Sequence, residues 1–154
     1  MEYSFYKLLH VLGVILFLGN IIVGLFWMHI AVKTDDAKIL GHTLKGIITA
    51  DVFFTIPGVI IVAATGIMTA MVGHYPIMKT GWVVWPMTLF VVSGIVFLFF
   101  VAPLQKKMYT LVSSSETFDQ TEFRSMYLSW KIWGSIALLL PMAAAVMMVL
   151  KVPQ

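Results

Sequence analysis

Four apolar runs, each long enough to cross a bilayer, leave this chain one broad choice of architecture. They cover about 5–32, 46–72, 82–104 and 130–150, and a helix needs about 20 predominantly apolar residues to span hydrocarbon about 30 Å thick. The chain is 60% hydrophobic and 11% charged, against about 25% charged in a soluble domain. The expected fold is therefore all-α: an integral membrane, antiparallel bundle of four transmembrane helices. It forms a single transmembrane domain over residues 1–154, with a cytoplasmic helical loop between helices three and four.

The breaks between runs follow local chemistry. The first run has no basic stretch before it and no small-residue cleavage site after it, so it reads as a retained helix and not a signal peptide. In Lys33-Thr34-Asp35-Asp36, Thr34 can cap a new helix whose first acids face the positive end of its dipole. Pro57-Gly58 predicts a kink in the second run. Gly73-His74-Tyr75-Pro76 marks a tight turn, after which Trp82 and Trp85 belong at a membrane interface. The segment 105–129 is the one long polar stretch. It reads as an interfacial loop and helix, with Thr117 and Gln120 as a capping box. No internal repeat is evident.

Charge sets orientation and removes some functions. The net charge is only +3, too small and dispersed for a nucleic-acid footprint. Lys33, Lys38, Lys45, Lys106, Lys107, Arg124 and Lys131 fall at one set of connections, whereas Lys7, Lys79 and Lys151 fall at the other. Basic residues are retained on the cytoplasmic side, which places both termini outside a bacterial inner membrane. With no cysteine, disulfides, thiol catalysis, iron–sulfur clusters and Cys-ligated zinc are excluded. The chain has no phosphate loop, His-Glu-x-x-His pair, Gly-x-Ser-x-Gly elbow or dinucleotide fingerprint, so hydrolysis has no support. Whether the protein is an enzyme at all stays open.

Transmembrane helices associate through small and polar residues, because lipid tails compete equally for apolar ones. At about 100° per residue, three helices present such a seam. His10, Gly13, Phe17, Asn20, Gly24 and Met28 fall within an arc of roughly 80° on helix one. Asp51, Thr55, Gly58, Val62, Thr65 and Thr69 do so on helix two. Trp130, Gly134, Ala137, Pro141, Ala144 and Met148 align on helix four.

The outer seam carries candidate ligands. His10 faces inward beside glycines that admit a flat group, near Lys7, Lys79 and Lys151, which could pair propionates. This suits haem b, with His74 or Met148 as a second ligand; an interfacial hydrogen bond is the plainer role for His10. His29 and His42, with Asp51, form a weaker metal set toward the inner end. Asp51 lies inside an apolar run, where a carboxylate costs about 2.5–3.5 kcal/mol unless paired or protonated. Its candidate partners are Trp130, Trp133, Lys131 and His29. Its role is a structural lock, proton handling or an ion path, with Asn20 and Thr55 on the same polar seam.

Leu9-His10-Val11-Leu12-Gly13, Ala50-Asp51, Ile56-Pro57-Gly58, Thr65-Gly66, Pro103-Leu104-Gln105, Trp130, Trp133-Gly134 and Met148-Val149-Leu150-Lys151 together resemble a bacterial family of predicted integral membrane proteins of unknown function. The Leu-His opening of helix one is also distantly similar to the membrane domain of copper-resistance protein D and to the J-type protoporphyrinogen oxidases. The latter resemblance implies haem b on a helix-one histidine, here His10. The second buried histidine and the basic residue after the helix-one glycine are missing from this chain, which argues against protoporphyrinogen oxidation. The reading is thus a polytopic protein binding haem b for electron transfer or a haem-linked redox step. The alternatives are transport or handling of a small solute or copper, and a non-catalytic scaffold. Its partners are the lipid bilayer, a second copy in a homodimer, and a redox or other membrane protein.

Overall fold

A computed structural model describes residues 1–114 and 118–153. Six helices make four rods: α1 (Glu2–Ala31), α2 (Ala37–Ala50), α3 (Ile56–Val72), α4 (Gly81–Val96), α5 (Ala102–Ser113) and α6 (Gln120–Leu150). One π-turn, Asp51–Thr55, fuses α2 to α3, and another, Phe97–Val101, fuses α4 to α5. The four rods run antiparallel. All are long and apolar enough to cross a membrane, as the apolar runs predict.

The π-turns share a cause. Proline lacks the N–H that would close an ordinary helical bond, and each turn ends just before one, Pro57 or Pro103. In both, the residue preceding the proline donates five residues back, Ile56 to the Asp51 carbonyl and Ala102 to the Phe97 carbonyl. The two stretches read Asp-Val-Phe-Phe-Thr-Ile-Pro and Phe-Leu-Phe-Phe-Val-Ala-Pro. A short repeat is present after all, recognisable because the backbone does the same thing twice.

Several expected boundaries move. The last helix begins at Gln120, not near residue 130, and the expected polar loop is largely α5 and the first turns of α6. Asp119 caps α6 through the N–H groups of Thr121 and Glu122; Thr117, expected as the cap, lies outside the described residues. Asp36, not Thr34, caps α2 by accepting from Lys38 and Ile39, while the Thr34 hydroxyl returns to the Ala31 carbonyl at 2.7 Å. Asp has the acceptor geometry the cap needs, and Asp35 in the left-handed region (φ 50°) delays the new helix by two residues.

The rods contain 31 to 36 residues, about 46–54 Å of helix against hydrocarbon about 30 Å thick. Apolar sequence reaches the end that carries the chain termini, so the surplus lies at the opposite end, where the α1–α2 and α5–α6 connections and most basic residues are. The two ends pack by different physics. At the connection end Met28, Leu40, Leu44, Met108 and Phe123 are essentially fully buried, forming a core like that of a water-soluble bundle. Toward the terminal end the contacts are glycine-mediated between α1 and α3, and a Ser93 hydroxyl bond to the Ala137 carbonyl at 2.6 Å joins α4 to α6. Where lipid competes for apolar groups, close approach and hydrogen bonds hold helices together. Across the connections, Arg124 clasps the Asp35 carboxylate at 3.0 Å.

Candidate functional site

The polar centre forms at the first π-turn. A single turn of i to i+4 spacing puts Asp51 and Thr55 on one face, and the Thr55 hydroxyl donates to Asp51 Oδ1 at 2.7 Å. From α1, Asn20 Nδ2 donates to Asp51 Oδ1 at 3.1 Å and to Thr55 Oγ1 at 2.8 Å. From α5, Gln105 Nε2 donates to Asp51 Oδ2 at 3.0 Å. Asp51, Thr55 and Gln105 are all buried. One carboxylate therefore ties three rods together through neutral donors.

These are not the partners expected for Asp51. Lys131 is exposed, Trp133 stacks on Phe100 with centroids 4.2 Å apart, and His29 lies 3.5 Å from the Tyr127 hydroxyl. Trp130 comes near without bonding. It lines a void of about 20 Å³ together with Asn20, Asp51, Gln105 and Gly134, and its buried Nε1 has no hydrogen-bond partner among the described residues. A void of that size has room for one water.

Gln105 is the residue the sequence reading overlooked, because it stands beside Lys106 and Lys107 and looks like the start of a polar loop. Its signal is the proline two residues before it, in register with Pro57. Sequence alone cannot say that α5 continues the third rod past that proline and carries Gln105 inward.

The threonine stripe is largely inert. Thr65 returns its hydroxyl to the Ile61 carbonyl, and Thr69 does so to Thr65 at 2.7 Å, so only Thr55 serves the centre.

The outer candidates are arranged differently. His10 Nδ1 lies 3.0 Å from the Val62 carbonyl, across the α1–α3 contact, and its ring covers Gly66, where an added Cβ would meet His10 Cε1 at 3.0 Å. A carbonyl on one ring nitrogen fixes the tautomer and leaves Nε2 as the open nitrogen, the second-shell arrangement common for metal-bound histidines. In that respect His10 fits an axial ligand. The glycine seam does not supply a slot for a flat group: a Cβ on Gly13 would meet Ile61 at 2.9 Å, and one on Gly58 would meet Phe17 at 3.0 Å. The seam closes on α3 because glycine lets helices approach as readily as it admits a ligand. His74 is exposed in its turn and Met148 is half-buried. Lys151 Nζ sits 5.5 Å from the Trp82 ring centroid, a cation–π contact, while Lys7 and Lys79 are exposed. His42 also faces out. Among the described residues no group of three or more His, Asp or Glu gathers as a metal site.

No curated protein and no solved structure is significantly similar to the chain. Over residues 4–152 it matches the family described as predicted integral membrane protein DUF2269. With four long apolar rods joined around a buried polar centre, the chain belongs to that family of integral membrane proteins.

Proposed function

We propose that the protein carries a small solute across the membrane, coupled to a proton that Asp51 takes up and releases. The observation that carries this reading is the Asp51 carboxylate itself, held by donors from Asn20, Thr55 and Gln105, none of them cationic. Neutral donors stabilise the anion without cancelling its charge, and a lone charge in hydrocarbon costs about 2.5–3.5 kcal/mol. A proton cancels it. Binding and release of that proton therefore change the grip of one carboxylate on three rods. The rods are jointed at that level by two π-turns, backbone features found often at functional sites. Among the described residues no gathered set of ligands favours copper as the solute.

The basic connection end faces the cytoplasm of a bacterial inner membrane in this reading, following the retention of Lys and Arg. The test is solute-dependent proton movement into proteoliposomes loaded with a pH-sensitive dye, with a panel of small solutes added outside under an imposed proton gradient. With one of these solutes wild-type protein acidifies the lumen, and Asp51→Asn slows the process at least about a hundredfold, the lower end of what one general acid–base group contributes. Equal rates for the two proteins overturn the proposal.

Haem b on His10 is the second reading, favoured by the Nδ1 contact to the Val62 carbonyl. Bound haem would supply one-electron redox chemistry; His10 would hold and orient it. Protein purified in detergent from haem-replete cells would then show a Soret band that His10→Ala removes. A colourless preparation, or a band unchanged in that variant, ends this reading.

A further inference from the structure

No described residue covers the outward face of α2, and its chemistry changes along its length in the way that a lipid molecule does. Lys38, His42, Lys45 and Thr49 repeat at intervals of three or four residues and are all exposed. Opposite them, Leu40, Leu44 and Ile47 are buried against the bundle. A shallow groove runs along this face past His42, Lys45, Gly46 and Thr49 to Phe53 and Phe54. Gly46 forms its notch, since a Cβ there would meet nothing within 4 Å. Below the notch Phe53 and Phe54 are 67% and 46% exposed.

Depth matches this gradient. If hydrocarbon begins where α3 ends at Val72, a rise of 1.5 Å per residue puts Phe53 about 28 Å along the rod and Lys45 about 40 Å. Hydrocarbon is about 30 Å thick, and the headgroup layer on each side adds about 5–8 Å. The phenylalanines thus lie at the acyl boundary, and Lys45 and His42 lie just outside the phosphates, with the lysine side chain long enough to reach back to them. Of the nearby acids, Asp35 is paired with Arg124. Asp36, whose carboxylate accepts from the N–H groups of Lys38 and Ile39, keeps its charge but lies nine residues before Lys45, about 13 Å along the helix.

We propose that this face binds an anionic phospholipid, its phosphate between Lys45, His42 and Lys38, and its acyl chains along Phe53 and Phe54. Charge complementarity selects the headgroup and the exposed rings select a lipid. The site stands on the surface of α2 alone and does not depend on Asp51 acting as a proton carrier.

The experiment uses the full chain in detergent, with phosphatidylglycerol, phosphatidylcholine and inorganic phosphate as probes. Binding is followed by native mass spectrometry and by thermal unfolding. Phosphatidylglycerol should bind and raise the melting temperature more than phosphatidylcholine. Lys45→Gln and Lys38→Gln should each weaken it about fivefold, from about 1 kcal/mol per basic residue at the surface. Lys79→Gln, at the other end of the bundle, should leave it unchanged. Gly46→Leu, whose Cβ meets no neighbour, should fill the notch and weaken binding while leaving the lipid-free melting temperature unchanged or raised. Equal binding of both lipids, the same stabilisation by inorganic phosphate, or loss of affinity with Lys79→Gln overturns the proposal. So does conversion of a dimer to a monomer by Gly46→Leu, which would make the face a contact between copies.

Discussion

Gln105 Nε2 donates to Asp51 Oδ2 at 3.0 Å, joining residues 54 positions apart on rods that run in opposite directions. It is the only side-chain bond to that oxygen among the described residues. Replacing Gln105 with Leu leaves half of a buried carboxylate unsatisfied, at a cost of about 1–3 kcal/mol. Thermal unfolding in detergent measures this. In a double-mutant cycle with Asp51→Leu, the second substitution should recover part of the loss, because no unpaired charge remains. Strict additivity would mean that the bond contributes nothing.

The α1–α3 contact makes a sharper contrast between glycines. At Gly58 a Cβ meets Phe17 Cβ at 3.0 Å, and the Phe17 backbone at 3.3 Å blocks any side-chain escape. Gly58→Ala should therefore destabilise the protein by about 1–3 kcal/mol, the usual cost of overpacking. Gly94→Ala meets nothing within 4 Å and, in a helix interior, should be neutral or stabilising by up to about 1 kcal/mol. Unfolding curves for both variants under one detergent condition decide the matter; equal losses would contradict the close approach.

Trp130 tests the void beside Asp51. A water filling that void would accept from the indole N–H and reach the carboxylate, so the indole should then carry a hydrogen-bonded rather than a free N–H signature in Raman or proton–nitrogen NMR spectra. Trp130→Phe keeps most of the packing and should cost less than Trp130→Ala, for which about 3–5 kcal/mol is expected. A free N–H signature would mean a dry void.

Orientation can be read directly, because the chain has no cysteine and every introduced one is unique. Lys79→Cys, in the turn between α3 and α4, should react with an impermeant maleimide on intact cells. Lys107→Cys, on α5, should react only after the membrane is opened. The reverse pattern would invert the topology.

The amino-acid sequence by itself determined the four spans and most of the buried seams. Apolar length and a repeat of about 3.6 residues are local properties, and Gly13, Phe17, Gly58, Val62, Gly134 and Ala137 are buried as their spacing requires. Asp51 was legible too, since a carboxylate within an apolar run has to find donors wherever the helices place it. Tertiary structure decided which donors. Gln105 and Asn20 reach Asp51 because of how the rods pair and how far α5 continues past Pro103, and neither is written in the spacing of any one segment. The same reason explains the glycines near His10: a gap beside a glycine suits a flat ligand or a neighbouring helix equally, and only the docking of α1 on α3 filled it, Gly13 with Ile61 and Gly58 with Phe17.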